Sequence, residues 1–317
     1  MEGRAMMWFL FFAALAALAI WPFAREAMRK PMDADARRDA PGDFVQLSQG
    51  ITHFRWIGPV RGPVAVCVHG LTTPSMVWDA VANGLALMGF RVLVYDLYGR
   101  GYSDRAPGLQ DQDFFLRQLE DLLDDQGITE DVTLLGYSMG GAIVSAFAAR
   151  HPERTLRLIL LAPAGMGHDL GRMARFTRDT PILGDWLMLL RYPAAHMQGT
   201  EAERTLPTEV EGIIDYQQAE LTKRGFVPAV LSSLRGILPR PLEEAHRQIS
   251  RDGIPVLAIW GRDDKVIPLR AMAQLTQWNR TARHEVIDGA GHGLTYTHAS
   301  AVLRAIEAGI AAEATGD

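Results

Sequence analysis

Residues 136–142 read GYSMGGA, a serine set among glycines directly after the apolar run VTLLG (132–136) and before the helical pattern GGAIVSAFAARHPE (140–153). This order predicts a strand turning sharply into a helix, with Ser138 at the turn. Two backbones crowd in such a turn, so Gly136 and Gly140 stand where a Cβ would clash. Ser138 itself is forced into a strained conformation that pushes its hydroxyl out above the strand end. Gly141, Ala142, Ala146, Ala148 and Ala149 let the helix lie close under the strands. A phosphate-loop reading fails, because no Gly-Lys-Ser/Thr follows.

The surroundings supply the sheet that such a turn needs. VAVCVHG (64–70), RVLVYD (91–96), LRLILLA (156–162), PVLAIW (255–260) and HEVID (284–288) are short, nearly continuous apolar runs, as in strands covered on both faces. Helical spacing fills 76–88 and 111–126, where Phe115, Leu119, Leu122 and Leu123 share a face. ITHFRWIG (51–58) reads as an earlier, antiparallel strand. Strand–helix alternation implies an α/β protein with a mostly parallel sheet flanked by helices, its core spanning 44–164 and 251–312. Residues 165–250 break the alternation with helical patterns punctuated by Pro181, Pro193, Pro207, Pro228, Pro239 and Pro241, and read as a helical cap or lid.

Composition sets the outer bounds. The chain is 48% hydrophobic and 22% charged with a net charge of −5, which fits a globular core and gives no nucleic-acid surface. A single cysteine, Cys67, excludes an intrachain disulfide and a cysteine-based zinc site. Residues 5–24 carry no charge, and twenty helical residues span ~30 Å, one hydrocarbon thickness. Trp8 and Trp21 lie near the two ends as interfacial anchors would. A cleaved signal peptide is the rival, but cutting after Ala24 puts Pro22 at the −3 position and cutting after Ala27 puts Arg25 there. The expectation is an uncleaved, single-pass transmembrane anchor. Arg25, Arg29, Lys30, Arg37 and Arg38 follow the span while Arg4 precedes it, which by the positive-inside rule keeps the body on the cytoplasmic face. Residues 25–43, rich in Pro, Asp, Ala and Arg, read as a linker.

A serine hydroxyl needs a base, and the base needs an orienting acid. Both are expected downstream at the ends of later strands. PVLAIW runs into GRDDKVIP (261–268), and HEVID runs into GAGHG (289–293), which places His292 in a glycine-flanked loop. His69, His151, His168, His196, His246 and His298 are weaker candidates. Asp263 and Asp264 are adjacent, so only one can meet His292. The amide of Met139, at a helix N-terminus, can donate to an oxyanion.

Taken together, HGLTTP (69–74), DLYGRGYSD (96–104), GYSMGG (136–141), GRDDKVIP (261–268) and GAGHG (289–293) resemble the α/β-hydrolase superfamily, in particular its cap-bearing serine hydrolases. The resemblance covers about residues 44–312 and implies an esterase- or lipase-like activity. It selects Asp264 as the acid, in a Ser138–Asp264–His292 triad, and gives the second oxyanion amide to Leu71 beside that of Met139. It implies no cofactor and no metal, and structural roles for Asp96 and Ser103. A serine nucleophile argues against the aspartate-dependent epoxide hydrolases and dehalogenases; perhydrolase-like members share the triad. The family's carbon–carbon bond hydrolases also share it, but usually carry Asn before the serine and Trp after the histidine, where this chain has Tyr137 and Gly293. The apolar cap stretches, Trp186–Leu190 and Phe226–Leu231, together with the anchor suit a lipophilic acyl ester and a membrane as partners. A catalytically silent binding protein is the non-enzymatic alternative.

Overall fold

The computed structural model describes residues 2–167 and 171–315. His168 therefore lies outside the described residues. Eight strands form one sheet: β1 (Asp43–Leu47), β2 (Gly50–Ile57), β3 (Val64–Val68), β4 (Arg91–Tyr95), β5 (Val132–Tyr137), β6 (Thr155–Leu161), β7 (Val256–Gly261) and β8 (Arg283–Ile287). Their spatial order is β1-β2-β4-β3-β5-β6-β7-β8. The β1–β2 and β2–β4 pairs are antiparallel and every other pair is parallel. Every residue of β5 and β7 is buried, which is why these runs read as continuously apolar. Strand β1 escaped the sequence reading because DFVQL is short, carries Asp and Gln beside its apolar residues, and lies largely exposed at the edge of the sheet.

The helices are α1 (Glu2–Ala27), α2 (Ala34–Arg37), α3 (Asp79–Leu87), α4 (Gln112–Asp125), α5 (Met139–Arg150), α6 (Gly171–Asp179), α7 (Leu183–Glu203), α8 (Ile213–Ala219), α9 (Phe226–Arg235), α10 (Glu243–Arg251), α11 (Arg270–Trp278), α12 (Leu294–Thr297) and α13 (Ala299–Thr315). Helix α4 starts at Asp111, whose carboxylate accepts from the Phe114 amide at 3.0 Å, and buries Phe115, Leu119, Leu122 and Leu123.

The cap is smaller than the interval 165–250. Helix α10 falls within that interval yet packs against α5 and α11 in the core layer, leaving α6–α9 as the cap. Its amphipathic pattern buries His246 and Ile249, so it resembled its cap neighbours in sequence. Pro193 does not end a helix either: α7 continues through it. The stretch 25–43 is docked rather than free. Glu26 ends up buried, accepting from the Gly225 amide at 2.6 Å and pairing with Arg29 at 2.6 Å. Lys30 exchanges backbone hydrogen bonds with Thr222 and Arg224 of the cap.

Helix α1 is long and apolar enough to cross a membrane, and it lies near the N-terminus. It packs alongside α7, with the Trp186 indole donating to the Leu18 carbonyl at 3.3 Å.

The crowding at the elbow is severe. A Cβ on Gly140 would come within 1.9 Å of the Val68 carbonyl oxygen, and one on Gly136 within 2.4 Å of Val144. Neither β3 nor α5 can retreat, because both pack against the sheet centre. Gly140→Ala is expected to cost more than about 3 kcal/mol and to lower the apparent Tm by more than about 6 °C. Thermal unfolding of the full-length protein checks this; an unchanged Tm would contradict the close packing.

Candidate active site

Ser138 sits between the end of β5 and the start of α5 with φ 53° and ψ −117°, a left-handed conformation rare for a non-glycine residue. Three backbone hydrogen bonds hold it there. Its amide donates to Leu161 at 3.0 Å, and its carbonyl accepts from Gly141 at 3.0 Å and Ala164 at 2.9 Å. The turn is thus fixed by β6 on one side and by its own helix on the other.

The loop after β8 carries His292 back over this turn. Its Nε2 lies 3.0 Å from the Ser138 hydroxyl and its Nδ1 lies 2.8 Å from Asp264 Oδ2. The second oxygen of Asp264 accepts from the amides of Val266 (2.7 Å) and Ile267 (2.8 Å). With both oxygens engaged, the carboxylate is fixed in direction. Its neighbour Asp263 is exposed, so of the two only Asp264 reaches the histidine.

Leu71 lines the cavity above Ser138, and Met139 opens α5 immediately after it. Neither amide is taken by another backbone group of the described residues. The Leu71 loop is braced from behind. His69 is fully buried; its Nδ1 faces the Gly70 carbonyl at 2.8 Å and its Nε2 accepts from the Leu97 amide at 2.9 Å. Burial pushes its pKa down to about 4, so the ring is neutral and donates from Nδ1. Asp96 accepts from the Ser75 amide (2.8 Å) and the Tyr102 amide (2.9 Å), and it faces His53 Nδ1 at 2.7 Å.

Three residues of this region were not assigned from sequence. The hydroxyl of Tyr137 donates to the His292 carbonyl at 2.9 Å, tying the residue before the serine to the histidine loop. Arg100 is fully buried and donates from Nε to the Leu71 carbonyl at 3.0 Å. Its other nitrogens reach Tyr98, Gln110, and the cap residues Ala229 (3.3 Å) and Ser233 (2.8 Å). One guanidinium therefore clamps the Leu71 loop to the cap, and burial pushes its pKa down to about 9. Its signal was an arginine inside the otherwise polar-poor stretch DLYGRG. Gln217 of the cap donates to Thr73 Oγ1 at 2.9 Å, a long-range contact that sequence spacing does not reveal.

A cavity of about 410 Å³ opens above Ser138 and His292. Leu71, Ala164, Leu234, Leu238, Val266 and Ile267 give it apolar wall; Thr73, His196, Thr200, Glu203, Gln217 and Tyr296 give it polar wall. No Lys or Arg is among its lining residues. Among the described residues no cluster of three or more His, Cys, Asp or Glu side chains is placed to hold a metal ion.

A model of the α/β hydrolase fold family matches residues 63–299. A 2-hydroxy-6-oxononadienedioate/2-hydroxy-6-oxononatrienedioate hydrolase from Paraburkholderia phymatum is 29% identical over 285 residues, covering 82% of this chain and 92% of that protein. The structure of a thermophilic esterase from Thermogutta terrifontis superposes with a TM-score of 0.69 at 23% identity, over 84% of this chain and 97% of that one. That of a protein described as a membrane phospholipase A superposes with a TM-score of 0.69 at 20% identity, over 98% of each chain.

His53 offers a test of the bracing. Burial alone would lower its pKa, but the hydrogen bond and charge of Asp96, with the Pro41 carbonyl 2.5 Å from Nε2, raise it. A raised folded pKa gives stability that is complete below the unfolded value and is lost as pH rises through the folded one. The stability gap between wild type and His53→Gln is expected to be full below about pH 6.5 and to close as pH rises beyond it. Denaturant unfolding across pH measures it; a gap that widens with pH would contradict the protonated pair. The sheet order, the elbow and the family match over residues 63–299 agree: the chain belongs to the α/β-hydrolase fold family.

Proposed function

We propose that this hydrolase cleaves a carboxylic ester of a lipophilic acid through an acyl-enzyme on Ser138. The observation that carries the reading is the unbroken chain Ser138 Oγ–His292–Asp264, with contacts of 3.0 and 2.8 Å. His292 Nε2 takes the Ser138 proton as Oγ bonds to the ester carbonyl carbon. The amides of Leu71 and Met139 hold the oxyanion, a donor of this kind being worth ~3 kcal/mol. Collapse breaks the bond to the alcohol oxygen, which leaves with the proton from His292. Water then gives its proton to His292 and its oxygen to the acyl carbon, and Ser138 is restored as the acid departs. Asp264 holds the tautomer and stabilises the charged imidazole throughout.

The charge of the cavity favours an ester over the carbon–carbon reading. The relative from Paraburkholderia phymatum is named for a dicarboxylate substrate. Here the cavity presents the Glu203 carboxylate and no Lys or Arg, so a dianion would be desolvated against like charge.

The membrane side of the proposal rests on α1 as an anchor and on what stands beside it. Ile182 is 79% exposed, and Phe176 and Leu183 are exposed too, at the α6–α7 turn of the cap helix that packs along α1. An apolar cap tip beside an anchor suits entry of a lipid from the bilayer. Fold likeness over 98% of the chain to a membrane phospholipase A supports the same reading.

In a p-nitrophenyl ester series, turnover is expected to peak at medium or long acyl chains. Ser138→Ala is expected to abolish it, and Asp264→Asn to lower kcat by about 10⁴. Activity surviving in Ser138→Ala would overturn the mechanism, and a flat or falling chain-length profile would overturn the lipophilic substrate. Phe176→Ser with Ile182→Ser is expected to lower turnover of a vesicle-borne ester while sparing a water-soluble short one. Equal loss on both would contradict the role of the cap tip.

A further inference from the structure

The polar wall of the cavity has unmet acceptor capacity. Glu203 accepts from the Tyr296 hydroxyl through Oε2 at 2.5 Å, and among the described residues no hydrogen bond reaches its other oxygen. Gln217 is 4% exposed; its Nε2 donates to Thr73, while its buried Oε1 has no hydrogen-bond partner. Burial lowers the pKa of His196, so the ring is neutral; its Nε2 donates to the Gln217 carbonyl at 3.2 Å. An unpaired buried oxygen such as Gln217 Oε1 is costly unless something donates to it.

We propose that Glu203 and Gln217 bind the alcohol half of the ester, and select an alcohol that carries further hydroxyl donors, as a glyceryl ester does, over a plain alkyl one. This rests on the ester-hydrolase reading above. The acyl chain cannot take this wall, since an alkyl group against Glu203 would desolvate a carboxylate without pairing it. The wall also shares its cavity with the histidine that returns a proton to the leaving group. Tyr296 follows His292 by four residues, and His292 must return its proton to the departing oxygen. The charge of Glu203 reaches Tyr137, whose hydroxyl bonds to the His292 carbonyl.

Gly293 is what makes the arrangement possible. A Cβ there would meet the Tyr296 ring at 2.4 Å and its hydroxyl at 2.5 Å. Only glycine lets the ring fold back against the chain and deliver its hydroxyl to Glu203. The departure at Gly293 from the carbon–carbon hydrolase pattern thus has a structural counterpart.

The test uses the full-length protein and three esters of one medium-chain acid: methyl, 1-glyceryl and choline. The choline ester supplies positive charge without a donor. Wild type is expected to favour the glyceryl over the methyl ester by about tenfold or more in kcat/KM. Glu203→Leu and Gln217→Leu are each expected to shrink that ratio by about tenfold. Glu201→Gln, exposed on the same helix and outside the cavity, should leave it unchanged. Labelling of Ser138 by a fluorophosphonate and the Tm verify that each variant is folded. Equal turnover of methyl and glyceryl esters overturns the proposal while leaving the esterase standing. So does a glyceryl preference that survives both leucine variants. A preference for choline alone replaces donor recognition with charge recognition and overturns it too. No turnover of any ester by wild type overturns the esterase reading, and this proposal with it.

Discussion

Ser138 is held at φ 53° in a conformation that costs of order 1–3 kcal/mol, and the rest of the molecule is arranged so that it has no way out. The Val68 carbonyl stands where a Cβ of Gly140 would be, and Pro163 crowds Gly141 in the same way. The Leu161 carbonyl and the Ala164 amide hold the serine backbone from the neighbouring strand. Relaxing the turn would mean separating β3, β5 and β6, which are the buried centre of the sheet. The strain is therefore paid for by core packing, and its product is a hydroxyl aimed at His292 at the mouth of a cavity.

That cavity is made by two bodies, and their joint is polar. Arg100 donates to the Leu71 loop and to cap helix α9 at once; Glu220 of the cap accepts from the Gly101 amide at 2.9 Å, and Gln217 reaches Thr73. Each of these groups is buried, so removing one partner leaves the others unpaired in a low dielectric. Helix α1 joins the same system, since Glu26 at its end accepts from the N-cap amide of α9. The cap therefore touches both α1 and the loop beside Ser138.

Much of this was legible in the sequence because it obeys local rules. The elbow announces itself through glycines required by contact, and the strands through continuous apolar runs. Serine and histidine could be read from their places after strands, the acid only as the pair Asp263 and Asp264, between which the family resemblance chose. The misreadings have equally physical causes. Helix α10 is amphipathic like the cap helices, and only its packing on α5 assigns it to the core. Pro193 removes one amide from α7, yet tertiary packing carries the helix past it. The stretch 25–43 looks like a linker by composition, and its docking depends on Glu26 and Lys30 meeting residues about two hundred positions later. Arg100, Tyr137 and Gln217 were missed for the same reason: their partners are distant in sequence.

The proposed mechanism requires a covalent acyl group at Ser138. The direct measurement is mass spectrometry of the wild type, acid-quenched within milliseconds of mixing with excess medium-chain p-nitrophenyl ester, before the acyl group has been released. The expected result is one acyl mass per chain, on the peptide holding Ser138. An acyl group on a different residue, or turnover by the wild type with Ser138 never modified under the same quench, would contradict it.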